Sequence, residues 1–202
     1  TYTRPSSATF TNRRLKKNGG YEYFLDTDYV GSVTNSITYS EDFSKSPWVG
    51  TSATSTVNQL IAPDGTLTAN KITYPVASYG WVHQNQYGYT NGDVVTFSAY
   101  YKAGSITKVL HNFYRGNVDA YIKVDLLSGA TLNSVNTIES SVVNVGDGWY
   151  KLSITALVSV AAGAKAQVAR QEVAELTSGG YIYAWGAQVT QSAKALPYVK
   201  TL

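Results

Sequence analysis

Much of the chain after residue 90 alternates between apolar and polar positions with a period of two, and clusters of turn-forming residues break the alternation at short intervals. Over 93–101, Val95, Phe97, Ala99 and Tyr101 fall on one side of an extended segment, opposite Val94, Thr96, Ser98 and Tyr100. The same period predicts a strand over 121–127 with Ile122, Val124 and Leu126 inward. Another spans 149–158, with Tyr150, Leu152, Ile154 and Ala156 on one face. A fourth, over 181–189, places Tyr181, Tyr183, Trp185, Ala187 and Val189 together against Ile182, Ala184, Gly186 and Gln188. Shorter strands are expected over 70–74, 79–83 and 108–114. Between them stand Pro63-Asp64-Gly65, Asn91-Gly92-Asp93, Arg115-Gly116-Asn117, Ser128-Gly129, Gly146-Asp147-Gly148 and Ser178-Gly179-Gly180, all suited to tight turns. One segment competes: Ala169, Val173 and Leu176 share a helical face within 164–176, among residues that favour helix locally. A lone helix would leave a gap in one sheet, so a strand over 167–173 is preferred.

Composition agrees with strands. The chain has 202 residues; only 14% are charged, against ~25% in typical globular domains, and 20 Ser, 22 Thr, 17 Tyr and 17 Gly fill the difference. The fold class expected is all-β. With no Cys, disulfides, thiolate metal sites and cysteine nucleophiles are excluded, and 2 His exclude a histidine-rich metal site. No apolar run approaches the ~18 residues of a membrane span, so no membrane insertion is expected. The chain starts at Thr1 and lacks Met, which points to a piece of a longer protein.

Charge is unevenly placed. Residues 1–20 hold Arg4, Arg13, Arg14, Lys16 and Lys17 without an acid, leaving 11 basic against 13 acidic residues elsewhere. The run from Arg13 to Gly20 reads as a hairpin tip. The tyrosines follow it rather than interleaving with it, so nucleic acid is not the expected partner. Residues 1–36 are read as an N-terminal arm and 37–202 as the folded domain.

Several motifs carry a resemblance. They are Ile37-Thr38-Tyr39-Ser40-Glu41-Asp42-Phe43 with Trp48; Ala62-Pro63-Asp64-Gly65-Thr66 running to Lys71-Ile72; and Val95-Thr96-Phe97-Ser98-Ala99-Tyr100-Tyr101-Lys102-Ala103-Gly104. Val124-Asp125-Leu126-Leu127-Ser128-Gly129, Val145-Gly146-Asp147-Gly148-Trp149-Tyr150, Tyr183-Ala184-Trp185-Gly186-Ala187-Gln188-Val189 and Leu196-Pro197-Tyr198-Val199 follow in order. Together they resemble the carbohydrate-binding-module-like β-sandwich domain of bacteriophage tail-fibre and other virion proteins. Tyr2-Thr3-Arg4-Pro5-Ser6-Ser7-Ala8-Thr9-Phe10 resembles the segment that often precedes that domain. The resemblance implies a jelly-roll β-sandwich of two antiparallel sheets with a short N-terminal arm, placed in the virion beside other virion proteins. It supplies no catalytic set.

Direct inspection finds no enzyme chemistry. Glu41-Asp42 are adjacent and suit a turn cap, not a pair of carboxylates facing across a cleft. Asp26 and Asp28 offer two local ligands where Ca²⁺ takes 6–8 oxygens, so no metal and no cofactor is expected. Trp48, Trp149 and Trp185 are read as core aromatics. The binding candidate is the stretch from Ser78 to Tyr89. Trp81, Tyr87 and Tyr89 supply surfaces for sugar rings, and His83 and Gln84 supply donors and acceptors for hydroxyls. Trp81 and His83 share one strand face. Tyr114 and Arg115, with His111, form a neighbouring candidate. The competing reading makes these aromatics core residues.

The expected function is therefore a non-enzymatic virion module of a tail fibre or spike that contacts a host cell-surface glycan. The alternative is a purely structural virion component, a capsid decoration or fibre-assembly domain. A homo-oligomer is expected, trimeric by analogy with phage fibres, with the arm carrying Tyr21, Tyr23 and Phe24 to a docking surface.

Overall fold

The computed structural model describes residues 11–15, 21–25, 33–159, 163–171 and 178–202. Fourteen strands and no helix occur among the described residues. β1 (Thr11–Leu15) and β2 (Tyr21–Leu25) pair antiparallel, with Leu15 opposite Tyr21. Of the expected hairpin tip at 13–20, Arg13, Arg14 and Leu15 belong to β1; residues 16–20 and the Asp26–Asp28 pair lie outside the described residues. Two six-stranded antiparallel sheets then pack face to face as a jelly-roll sandwich.

The first sheet uses β3 (Val49–Thr51), β6 (Trp81–Asn85), β8 (Lys108–Tyr114), β9 (Asp119–Asp125), β10 (Thr131–Val135) and β13 (Lys165–Gln171), in the order β10-β9-β8-β13-β6-β3. The second uses β4 (Thr54–Leu60), β5 (Ala69–Tyr74), β7 (Val94–Ala103), β11 (Glu139–Gly146), β12 (Trp149–Leu157) and β14 (Gly180–Thr190), ordered β11-β12-β7-β14-β5-β4. The predicted inward residues of β7, β9 and β12 meet between the sheets, where Phe97, Tyr101, Ile122, Leu152 and Ile154 are at most 1% exposed. Trp48 joins this core, whereas Trp149 and Trp185 are buried on the far side of the second sheet with Tyr100 and Tyr198.

On β14 the expected alternation is half right. Ile182 and Ala184 face the core, and so do Ala187 and Val189, because the register against β7 shifts between Trp185 and Gln188. Gly186, at φ +62°, makes that bulge, and a Cβ there would sit 3.0 Å from the Tyr100 ring. The contest over 164–176 resolves to a strand over its described part, β13 (Lys165–Gln171), which starts two residues before the expected 167; residues 172–176 lie outside the described residues. β6 begins two residues later than expected, just after Gly80, where a Cβ would fall 2.6 Å from the Ser52 carbonyl oxygen.

The body of the sandwich takes in residues from Val33, which is 1% exposed. Asn35 clasps the two ends of that body. Its Nδ2 donates to the carbonyls of Ala187 and Val199, and its Oδ1 accepts from the amides of Ile37 and Val189. Thr201 closes the clasp, donating from Oγ1 to the Ile37 carbonyl and from its amide to Ser40 Oγ. Asp42 caps a turn, accepting from the Ser44 amide and hydroxyl, while Glu41 pairs with Lys200 at 2.7 Å.

Candidate functional site

The outer face of the first sheet is unusually polar for one so well buried. Val82, Ala166, Val168, Phe113 and Ile122 point inward from β6, β13, β8 and β9, so the intervening residues point out. Register sets His83 beside Gln167, Gln167 beside Asn112, and Asn112 beside Tyr121, in one row across four strands. Trp81 lies two positions along β6 from His83, and Tyr114 two positions along β8 from Asn112, opposite both Lys165 and Asp119.

One more side chain reaches this face only because β13 is irregular. Val168 and Ala169 are both fully buried, and the register against β8 shifts between Gln167 and Arg170. Ala169 carries φ +53°, a conformation that costs a non-glycine residue roughly 1–2 kcal/mol. Two core tyrosines hold it there. The Tyr74 hydroxyl donates to the Ala169 carbonyl. Burial raises the pKa of the Tyr101 phenol, and a hydrogen bond from the Ala169 backbone opposes that rise, as a bond donated by an amide does. With strict alternation Arg170 would point into the core; the extra residue turns it outward.

Arg170 then spans the face. Its guanidinium carbon lies 5.4 Å from the Trp81 ring centre, and Nη1 bonds Asp119 Oδ2 at 2.7 Å. Asp119 Oδ1 accepts from Asn112 Nδ2 at 2.9 Å, and the same amide nitrogen donates to Gln167 Oε1 at 2.6 Å. A line of contacts results, from Trp81 through Arg170, Asp119 and Asn112 to Gln167, whose register partner on β6 is His83.

On this face four buried atoms have no hydrogen-bond partner: Trp81 Nε1, His83 Nδ1, Asn112 Oδ1 and Arg170 Nε. Asn112 is fully buried and His83 is 8% exposed. Each such orphan costs about 1–3 kcal/mol, so their concentration on one face calls for an explanation beyond folding. Burial, then the charge of Lys165, lowers the His83 pKa below the ordinary imidazole value; a hydrogen bond to the Val49 backbone opposes both. A bond that raises an imidazole pKa is accepted by a carbonyl.

The sequence-predicted residues divide. Trp81, His83 and Tyr114 belong to this face. Gln84 does not: it points the other way and holds the segment before the sandwich, accepting from the Thr38 amide at 2.9 Å and donating to the Thr38 carbonyl at 3.0 Å. Tyr89 is 8% exposed and engages Ser36 Oγ at 2.9 Å, so it too is structural. Tyr87 is 76% exposed on the loop after β6, held to Asn85. Arg115 donates from Nε to the Leu157 carbonyl at the end of β12. His111 lies between the sheets, on the opposite face from Tyr114. Asn112, Asp119, Tyr121, Gln167 and Arg170 were missed. Strand parity on β8 separates Asn112 from His111 and was the available signal; nothing in the sequence marks the bulge that delivers Arg170. Among the described residues no group of three or more His, Cys, Asp or Glu is placed to hold a metal ion.

No known family's sequence model matches the chain, and no curated protein matches it. Among solved structures it is similar to the enzymatically active domain of bacteriophage CBA120 tailspike protein 4, at 16% identity and a TM-score of 0.45. That likeness covers 77% of this chain and 21% of the tailspike chain, so this chain spans about a fifth of that length. It is also similar to a carbohydrate-binding module of the β-sandwich superfamily described for promiscuous specificity, at 10% identity and a TM-score of 0.28, covering 87% of this chain and 70% of that one. Neither likeness is close enough to carry function, which has to be argued from the face itself.

Proposed function

We propose that this protein is a non-enzymatic carbohydrate-binding module of a phage virion, in a tail fibre or spike, that engages a host surface glycan on the outer face of the first sheet. The observation that carries this reading is the cluster of unpartnered polar atoms beside the Trp81 ring. A sugar presents apolar C–H faces for an indole and hydroxyls for orphaned donors and acceptors, which is the combination this face lacks. The virion setting rests on the ordered motifs of the sequence. The test is Trp81→Ala in the full chain: binding to host cells or their polysaccharide disappears while cooperative unfolding persists. A folded variant that binds normally overturns the reading.

A structural role has support of its own. β11 is an eight-residue edge strand with Val143 49% and Val145 37% exposed, next to Ile138 at 58%. It carries neither Lys nor Pro, the residues that usually protect an edge. We propose that the chain is a homo-oligomer, trimeric by analogy with phage fibres, and that the arm at 1–36 helps to hold it. Mass in solution with and without residues 1–32, a deletion that leaves Val33, Asn35 and Ser36 in the sandwich, tests both parts.

A further inference from the structure

The two sheets of the sandwich end in four edge strands, β10 and β3 on one and β11 and β4 on the other. Each edge offers a row of backbone N–H and C=O groups that a further strand can pair. Three of the edges are blunted. β3 is only three residues long, and β4 and β10 break register with their neighbours, between Thr56 and Leu60 and between Thr131 and Asn133. β11 is different. At eight residues it is the longest of the four, and it keeps register with β12 from Glu139 to Asn144, bulging only at its end.

A second free edge lies beside it. β1 and β2 make a sheet of their own, and among the described residues neither is hydrogen-bonded into the sandwich. A two-stranded hairpin by itself is at best marginally stable in water, so this one needs a sheet to join. β1 runs next to β11, with Cα atoms of the two strands within 8 Å of each other. Residues 26–32 tether the hairpin to the sandwich, a reach of at most ~25 Å. Charge favours the match: residues 1–20 hold five basic residues, Arg13 and Arg14 of β1 among them, and no acid, whereas β11 holds Glu139 and no base.

We propose that the β1–β2 hairpin of one copy of this chain adds to the β11 edge of a second copy, extending that copy's second sheet by strand addition. This rests on the homo-oligomer proposed above and names the two surfaces that meet in it. The surfaces are unlike, so the contact repeats head to tail and can close into a ring, as a trimer requires. Pairing of β11 with β11 would be two-fold and would stop at a dimer. Exchange between copies keeps the pairing that the hairpin can make beside its own β11, so trading it costs little.

The chain has no Cys, so introduced thiols are the only ones present. Neighbouring positions on a strand take opposite faces, so one of Asn12→Cys and Arg13→Cys shares the face of Val143→Cys. Each β1 variant, otherwise full length, is co-expressed with a differently tagged Val143→Cys chain and treated with a short bismaleimide. The expected product is a covalent pair carrying both tags. A Val143→Cys chain linked only to its own kind would mean that edge pairs with edge. A link found only within a chain carrying both substitutions would mean that the hairpin stays on its own edge. Either result overturns the inference, and so does an oligomer that gives no link; a full-length chain that is monomeric by solution mass overturns the oligomer as well. Charge supplies a second measurement at two exposed positions. Val143→Lys with Val145→Lys sets cations against the basic hairpin and should raise the oligomer's dissociation constant about tenfold at low salt, whereas Val143→Glu with Val145→Glu should leave it within about threefold. Equal weakening by both pairs would show that the edge does not meet the hairpin. Should either pair fail to fold, the cross-linking alone decides.

Discussion

Acid should weaken this sandwich through one histidine at its centre. His111 is fully buried, its ring 4.1 Å from that of Phe97, with Nε2 bonded to the Phe97 carbonyl at 3.0 Å and Nδ1 to the Tyr101 hydroxyl at 2.8 Å. Burial pushes its pKa down from 6.5 to about 4. As pH falls, the unfolded chain takes up this proton near 6.5 and the folded chain only near 4. Between those values the unfolded state binds more protons, so the free energy of unfolding decreases with decreasing pH. The contribution is fully present above pH 6.5 and lost by about pH 4. Roughly 2.5 pH units at ~1.4 kcal/mol each make it about 3 kcal/mol, a large share of a typical domain's stability. His111→Gln keeps an acceptor for Tyr101 and a donor for Phe97 but cannot titrate. Urea unfolding of both proteins from pH 4 to pH 8, at constant ionic strength, isolates the effect as the difference in slope, whatever the offset between the curves. The variant should lose roughly 3 kcal/mol less across the interval. Parallel curves, or a His111 imidazole that titrates near 6.5 in the folded protein by NMR, would refute the reasoning.

Other outcomes follow from the same geometry. Trp81→Ala should cost roughly 2 kcal/mol by loss of a half-buried indole, well short of unfolding, and remove glycan binding; calorimetry and a pull-down on host polysaccharide read the two effects separately. Asp119→Asn should change stability by less than ~1 kcal/mol yet weaken binding about tenfold, because the carboxylate orients both Asn112 and Arg170; equal losses in both would point to a packing role instead. Gln84→Ala strands the amide and carbonyl of Thr38 and should cost about 2–3 kcal/mol with binding intact per folded molecule, measured by denaturant titration and active-site counting. Glycan affinity should hold at neutral pH and fall only below the ordinary imidazole range, where His83, whose pKa burial lowers, takes up a proton beside Lys165. An affinity flat from pH 7 to pH 4 would remove His83 from the site.

The strands with one apolar and one polar side could be read from the chain, since β7, β9 and β12 each alternate for seven residues or more. The edges could not. β4 and β11 are rich in Ser, Thr and Asn, and the sandwich leaves most of their residues exposed on both faces, so no period distinguishes them from loops. Nor could the bulges at Ala169 and Gly186. Each is stabilised by residues far away in sequence, Tyr74 and Tyr101 in one case and Tyr100 in the other. The site was half legible for the same reason. Trp81 and His83 announce themselves within one strand, whereas Asn112, Asp119 and Arg170 matter only once β8, β9 and β13 lie side by side. Gln84 and Tyr89 looked like ligand contacts because composition does not tell a polar group facing solvent from one tied to Thr38 or Ser36.

The clasp formed by Asn35 and Thr201 has a consequence for how such a unit travels between genes. It brings the chain near residue 36 and the chain near residue 201 to one spot on the surface, so the whole sandwich hangs from a single stem. A unit with one stem can be grafted into a surface loop of another protein, or copied in tandem, without either neighbour having to reach around it. Joining the two ends through a short Gly-Ser linker and opening the chain at the exposed Leu127–Ser128 bond of the turn after β9 should yield the same fold with new termini.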